Sequence, residues 1–189
     1  MFTGKDAVGI MRRELAPWIR AQGFRTSKGR SLAFARERSD GLFDVLGIGV
    51  TRHGVDPYAG GELLVELGIS RSVDVAYGIR RRLSLVLGDG DEVRELVALN
   101  NRMIRELSPP DQGFVSSLPE DVRPWYLSRF QEEEVSSEAR SLAAEWLRFA
   151  TDEHVRRWAE YLRRVLPKAF ERVAAARLES PNLVFSKST

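Results

Sequence analysis

The chain has 189 residues, of which 43% are hydrophobic and 30% are charged, and its formal net charge is +2. These values are typical of a soluble globular protein that can bury a sizeable core, and so small a net charge gives no reason to expect nucleic acid as a partner. The sequence contains no cysteine, which excludes disulfides, thiolate catalysis and cysteine-ligated metal sites.

Arginine supplies most of the positive charge, with 25 Arg against 4 Lys. Together with frequent alanine, glycine and valine, this skew indicates a GC-rich bacterial genome. No apolar run approaches the roughly 20 residues that span a bilayer, and residues 1–18 lack the apolar core of a signal peptide. We therefore expect a cytoplasmic protein with no membrane partner.

The first predicted element is an amphipathic helix over residues 5–22. Apolar side chains recur there at three- and four-residue steps, which is the period of one helix face. Gly23 is a natural C-terminal stop. Because Pro17 removes one backbone donor, we expect a kink or a break near residues 13–16.

Residues 42–50, LFDVLGIGV, form the strand around which the sheet is predicted to be built. They contain three β-branched side chains and one Phe, and the turn dipeptide Asp40-Gly41 precedes them. The preceding run, residues 31–38, is then the partner strand of a β-hairpin. A short strand over residues 24–27 is expected to come before it.

The hairpin loop decides which residues of the two strands face each other. The register that follows from a two-residue type I′ loop is Leu32 with Gly49, Phe34 with Gly47 and Arg36 with Val45. In that register two large side chains cover the bare backbone of two glycines. It also sets Glu37 against Asp44, a like-charge pair that disfavours it, and a longer loop is the open alternative.

Both faces of the central strand are apolar. Phe43 and Val45 point one way, whereas Leu46, Ile48 and Val50 point the other way. A strand that is apolar on both sides is usually covered on both sides. We therefore expect it in the middle of a small sheet, with helices on at least one face and a second helical layer or a partner chain on the other.

Residues 51–88 are predicted to extend the sheet. Residues 51–61 indicate a loop, because they contain several glycines and an Asp-Pro step. Residues 62–70 indicate a strand, because apolar and polar side chains alternate. Residues 73–87 fit both a strand and a helix period, and we favour a strand through Ile79.

The C-terminal half is predicted to be mainly helical. A helix is predicted from Asp89 to Ser108, followed by a loop-like connection over residues 111–124. A further helix runs from Ser136 or Ser137 through Phe149, and a last one begins at Thr151. At Pro167 this last helix either kinks or ends, and in the second case a new helix begins there and runs through Arg177. Ser, Thr or Asp caps with early carboxylates indicate where these helices begin. Residues 179–189 are expected to fray or to dock as a short edge strand.

The predicted fold class is α+β in one domain. Residues 1–88 would form a helix and a single antiparallel sheet of about four to five strands, residues 89–178 would add three or so helices, and residues 179–189 would be a tail.

Five stretches carry a resemblance to a known family. They are LAPWIRAQGFR (residues 15–25), the strand with Phe34 and Arg36, LFDVLGIGV, ELLVELGIS and IRRRL (residues 79–83). Together they resemble an uncharacterised bacterial family of small α+β proteins, known as a domain of unknown function. Over roughly the first two thirds of the chain, the resemblance implies one antiparallel sheet with flanking helices. Some small bacterial domains of this kind look like immunity or partner-binding modules.

No motif indicates a cofactor, a metal or a catalytic set. His53, in a loop after the central strand, is a candidate base or ligand, although a lone loop histidine is more often simply exposed. His154, in the first turn of a helix, is expected to be structural or exposed. The two are far apart and lack zinc-ligand spacing, and we find no dinucleotide, phosphate-loop or Gly-x-Ser-x-Gly motif.

The arginines are the remaining polar feature. The candidate binding residues are Arg36, Arg38, Arg52, His53, Arg80, Arg81 and Arg82. If the strands hold, Arg36, Arg38, Arg52 and one or two of the last three converge on a patch suited to carboxylate or phosphate, because guanidinium donates in a bidentate manner. Arg81 would point away from its two neighbours. The alternative is ordinary ion pairing with Glu37, Asp44, Glu62, Glu66 or Asp74.

Two functional hypotheses follow. The first is a non-enzymatic protein-binding module, immunity-like or adaptor-like, that binds a protein partner or forms a homodimer through an exposed sheet face or edge. The second is a protein or enzyme that binds a small molecule or anion in an arginine-rich cleft near His53.

Overall fold

One antiparallel sheet organises the helices of this α+β protein. A computed structural model describes residues 2–27, 32–50, 60–73, 79–88, 90–106, 112–124, 127 and 146–179. The helices are α1 (Gly4–Glu14), α2 (Ala16–Ala21), α3 (Leu83–Leu87), α4 (Asp91–Arg105), α5 (Gln112–Ser117) and α6 (Asp152–Glu179). The strands are β1 (Arg25–Thr26), β2 (Leu32–Glu37), β3 (Phe43–Val50), β4 (Gly61–Ser70), β5 (Ile79–Arg82) and β6 (Leu147–Phe149). The predicted fold class is confirmed.

The strands follow the order β1-β2-β3-β4-β5, and every neighbouring pair is antiparallel. The short strand β6 also pairs with β4. Strands β5 and β6 therefore lie along the same edge of β4, at different residues. The sheet therefore has six strands rather than four or five. Strand β3 lies inside it, between β2 and β4, as its apolar composition predicts.

The N-terminal helix breaks where Pro17 predicts. Helix α1 begins with a capping box, in which Thr3 Oγ1 accepts from the Asp6 amide at 3.3 Å and Asp6 Oδ2 accepts from the Thr3 amide at 2.8 Å. It ends at Glu14, and Pro17 lies in the first turn of α2, where its missing amide costs nothing. Gly23, with φ of +85°, follows as the stop.

The loop between β2 and β3 is one residue longer than the type I′ turn. The Arg38 amide donates to the Leu42 carbonyl at 2.7 Å, which leaves Ser39, Asp40 and Gly41 as a three-residue loop. Gly41 has φ of +75°, the left-handed conformation that such loops require at their last position.

The longer loop shifts the strand register, so the predicted pairing is wrong by one residue. The observed pairs are Leu32 with Ile48, Phe34 with Leu46, Arg36 with Asp44 and Glu37 with Phe43. The large side chains therefore pack against each other rather than over glycines. The like-charge opposition of Glu37 and Asp44 is replaced by an ion pair between Arg36 and Asp44, which favours the observed register.

Both faces of β3 are buried, as predicted. On one face, Leu46 and Ile48 join side chains of β2, β4 and all the described helices except α5 in a single hydrophobic core. On the other face, Ala33, Ala35 and Val45 form a second, smaller cluster and are at most 5% exposed. The helices of the main core therefore lie on one side of the sheet.

The prediction of a loop over residues 111–124 is wrong, because α5 lies within it. The hydroxyls of Ser116 and Ser117 donate to the carbonyls of Gln112 and Phe114 at 2.7 and 2.6 Å, bonds that hold this turn locally. None of the residues of α5 is buried. Because the helix has no buried face, its sequence lacks the regular spacing of apolar residues by which a helix is predicted.

The prediction that a helix continues through Phe149 is also wrong, because residues 147–149 form β6. The buried Asn100 side chain accepts from the Arg148 amide at 2.7 Å and donates to the Trp146 carbonyl at 3.0 Å. Trp158 Nε1 donates to the Arg148 carbonyl at 2.7 Å. These partners come from α4 and α6, so local pattern could not reveal the strand.

Helix α6 begins as predicted, with the His154 amide donating to Thr151 Oγ1 at 3.2 Å. It continues through Pro167 without a break, so no new helix begins there. An internal proline costs roughly 3 kcal/mol, and the buried stripe that includes Trp158, Leu162 and Leu166 offsets that cost. Of the strand favoured over residues 73–79, Ile79 begins β5 and Val73 lies in a bend; residues 74–78 and 180–189 lie outside the described part.

Gly61 lies where β4 meets β6, and we expect alanine there to destabilise the fold. A Cβ atom at Gly61 would lie 2.6 Å from Phe149 Cε2, so Gly61→Ala should cost about 1–3 kcal/mol of unfolding free energy, measured by urea denaturation. The control is Gly9→Ala, whose nearest new contact is 3.7 Å away in α1 and which should stabilise by up to about 1 kcal/mol. If Phe149 causes the clash, the double variant Gly61→Ala/Phe149→Leu should lose less unfolding free energy than the sum of the two single variants. An equal loss of unfolding free energy in Gly61→Ala and Gly9→Ala would contradict the clash.

Candidate functional site

A cleft of about 330 Å³ opens at the end of the sheet next to the β2–β3 loop, between α2 and α6. Its polar lining consists of Gln22, Arg36, Arg38, Asp44 and Glu171. Its apolar lining includes Trp18, Phe24, Pro167 and Phe170. We call this site the arginine cleft; its walls come from both ends of the chain.

Asp44 is the buried charge of the arginine cleft, with 4% of its surface exposed. One carboxylate oxygen accepts from Arg36 Nε at 3.2 Å and Arg36 Nη2 at 2.7 Å, and the other accepts from Arg38 Nη1 at 2.9 Å. Two guanidinium groups therefore share one carboxylate, an arrangement that satisfies a buried charge by both pairing and hydrogen bonding.

Arg36 is held on all sides. Its guanidinium lies 4.6 Å from the centre of the Phe24 ring and 5.6 Å from that of the Phe170 ring, and Nη1 donates to the Gln22 carbonyl at 3.1 Å. Stacking on aromatic faces suits the planar guanidinium. Arg36 thereby joins the end of α2, the sheet and α6, and most of its donors are occupied.

Arg38 is less fully occupied. Its Nη1 donates to Asp44, its Nε lies 3.4 Å from Asp40 Oδ1, and 23% of the side chain is exposed. Burial works to lower the pKa of Arg38, but the hydrogen bond and charge of Asp44 raise it above its ordinary value, so the group stays cationic. Among the described residues, nothing accepts a hydrogen bond from Arg38 Nη2, which leaves this nitrogen available to a ligand.

Three other sequence candidates, Arg80, Arg81 and Arg82, do not line this cleft. Arg80 and Arg82 lie on the opposite face of the sheet with Glu66, where Arg80 Nη1 is 3.0 Å from Glu66 Oε2. Arg82 stacks on Trp146, at 4.5 Å from the ring centre. Arg81 points away from its two neighbours, as predicted, and is exposed.

Arg52 and His53 lie outside the described residues. Of the five candidates that the structure describes, it brings together Arg36 and Arg38, and it uses Arg80 in an ion pair.

His154 is structural rather than exposed. It is 3% exposed, its Nδ1 accepts from the Ala150 amide at 3.1 Å, and its Nε2 lies 2.9 Å from Glu106 Oε2. Because Nδ1 is an acceptor, the ring proton is on Nε2, which donates to Glu106. Arg157 Nη1 donates to the other oxygen of Glu106 at 2.8 Å, so the carboxylate ties the end of α4 to the start of α6.

Sequence reasoning missed the aromatic walls and Glu171. Trp18 and Phe24 were visible only as members of a helix stripe and of a strand, and Phe170 lies on α6, more than a hundred residues away in sequence. The one local signal was Asp44, an acidic residue within an otherwise apolar strand.

The described part of the chain holds no group of three or more histidine and carboxylate side chains that could bind a metal ion. Nor does any helix in that part combine the length and hydropathy needed to cross a membrane. Neither family models, nor curated proteins, nor solved structures give a match to the chain.

Removal of the Asp44 charge should destabilise the protein. In Asp44→Asn the two guanidiniums lose their shared counter-ion, and we expect a loss of about 2–3 kcal/mol, just below the usual cost of breaking a buried ion pair because both arginines are partly exposed. Chemical denaturation measures it. The matched control is Glu95→Gln, which removes an exposed partner of Arg164 and should cost less than about 1 kcal/mol. Equal losses in the two variants would contradict the role of Asp44.

The Glu106 contacts should make stability depend on pH. Burial works to raise the pKa of Glu106, but hydrogen bonds from Arg157 and His154 lower it below the ordinary 4.5. A carboxyl with a lowered folded pKa stabilises the protein above its unfolded pKa, and this contribution is lost as the pH falls through the folded pKa. Between about pH 5 and about pH 3, unfolding free energy should therefore fall less steeply in Glu106→Gln and in Arg157→Gln than in the wild type. Identical slopes would refute this.

Proposed function

We propose that this protein is a non-enzymatic binding module, and that the arginine cleft binds a small molecule carrying a carboxylate or phosphate group. The observation that carries the proposal is Arg38, a cation in a cleft whose Nη2 has no acceptor among the described residues. Guanidinium N–H groups bind such oxyanions strongly and with defined geometry.

The shape of the cleft supports a small ligand. Its volume of about 330 Å³ falls at the lower end of the range for small-molecule pockets, about 300–1,000 Å³. Trp18 and Pro167 supply apolar surface in the same cleft, beside five polar residues. Apolar surface next to oriented polar groups is typical of such sites.

Arg36 supports the same proposal in a different role. Its contacts with Asp44, Gln22 and the two phenylalanine rings fix the position of Asp44, which in turn orients Arg38. A preorganised donor loses little conformational entropy when a ligand binds.

The second candidate function is protein binding, with an acidic side chain of a partner entering the same cleft. The exposed Glu171 and the partly exposed Arg36 at the cleft favour it, because a rim of mixed charge is typical of protein interfaces. The proposed resemblance to immunity-like bacterial modules points the same way.

Substitution of Arg38 tests the proposal. Titration calorimetry and ¹H–¹⁵N spectra of the wild type with 3-phenylpropanoate and phenyl phosphate should show binding of at least one, with shifts at the Trp18 indole. Arg38→Gln should weaken that binding about tenfold or more, the size of one charge-assisted hydrogen bond, and Arg38→Lys should recover part of it.

The control for this experiment is Arg164→Gln on α6, because Arg164 is exposed, pairs with Glu95 and does not line the cleft. It should leave binding unchanged. Absence of any shift at Trp18 with either ligand, or equal affinity in Arg38→Gln and the wild type, would refute anion binding in the cleft.

A further inference from the structure

The charges that line the arginine cleft balance. Arg36 and Arg38 contribute two positive charges, and Asp44 and Glu171 contribute two negative charges. Because the charges balance, the cleft attracts an anion less than a cleft of net positive charge would, and the exposed carboxylate of Glu171 opposes a phosphate dianion. The balance favours a ligand that is itself neutral overall but carries separated charges of both signs.

The two charges that remain available have opposite signs and come from different elements. Arg38 follows β2 and donates to Asp44 through Nη1, but its Nη2 has no acceptor among the described residues, whereas Arg36 is held by Asp44, by the Gln22 carbonyl and by two aromatic rings. Glu171 lies on α6, is exposed, and makes no ion pair with any other residue that the structure describes. An anionic and a cationic group of one ligand could therefore each find a partner in the cleft.

Apolar surface accompanies these two charges. Trp18 from α2 and Pro167 from α6 line the cleft, together with the nearly buried rings of Phe24 and Phe170. Aromatic surface of this kind favours a flat or branched apolar group. The volume at the lower end of the small-molecule range suits a ligand of amino-acid size better than a nucleotide.

We infer that the ligand is a zwitterionic α-amino acid with a large apolar side chain. Its carboxylate accepts from Arg38 Nη2, its ammonium group pairs with Glu171, and its side chain packs against Trp18 and Pro167. This inference rests on the proposed function and deepens it, because it names the ligand class and adds Glu171 as a specificity residue.

The test compares ligands that differ by one charged group. Wild-type protein is titrated by calorimetry and ¹H–¹⁵N spectra with L-phenylalanine, 3-phenylpropanoate and 2-phenylethylamine, and in parallel with L-leucine and 4-methylpentanoate. At least one amino acid should bind about tenfold or more tightly than its counterpart without the ammonium group, since each charge pair in a partly desolvated cleft is of that order. 2-Phenylethylamine, which lacks the carboxylate, should also bind more weakly than L-phenylalanine.

Two variants separate the inference from the proposal beneath it. Glu171→Gln should abolish the preference for the amino acid over the carboxylate without weakening 3-phenylpropanoate binding, because it removes a negative charge from the cleft, whereas Arg38→Gln should weaken the binding of both ligands. The control is Glu160→Gln, an exposed glutamate on α6 that does not line the cleft. It should behave as the wild type, and thermal unfolding checks that each variant folds.

The outcomes are distinct. If 3-phenylpropanoate binds as tightly as L-phenylalanine, or if Glu171→Gln leaves the preference intact, the amino-acid inference is overturned and the anion-binding proposal stands. If phenyl phosphate alone shifts the Trp18 signal, the amino-acid inference fails and the anion-binding proposal stands. If the amino acids, the carboxylates and phenyl phosphate all leave the Trp18 signal unchanged, both fail together.

Discussion

The carboxylate of Asp44 needs two guanidinium groups for its charge to be buried, and this requirement links the strand register to the cleft. Arg36 faces Asp44 because the loop before β3 has three residues. A slip of one residue would turn one strand over and move its whole side-chain set to the other face. The same ion cluster therefore fixes how β2 pairs with β3 and builds the charged end of the arginine cleft.

Much of the fold could be predicted because its signals are local. The break before Pro17, the stop at Gly23, the alternation in β4 and the cap at Thr151 each depend on a few neighbouring residues. The central place of β3 followed from its two apolar faces, which only a covered strand can tolerate.

The parts that could not be predicted depend on contacts between distant segments. Strand β6 exists because the side chains of Asn100 and Trp158 form hydrogen bonds with its backbone. Helix α5 has no buried face, so its sequence shows no helical repeat of apolar residues. The register failed because Asp40-Gly41 suits both a two-residue and a three-residue loop. Gly41 is left-handed in both loops, and they differ at Asp40, which would need a positive φ only in the two-residue loop and does not have one here. In the cleft, the arginines and Asp44 were visible in the sequence, but Phe170 and Glu171 arrive from the far end of the chain.

The bonding of Arg148 also bears on how molecules of this protein behave toward one another. Both of its backbone groups that turn away from β4 are occupied, the amide by Asn100 and the carbonyl by Trp158. A free strand edge is a template on which another chain can add. Since this edge is already closed by side chains from within the same molecule, growth of the sheet into a fibre or a strand-exchanged dimer is obstructed at β6.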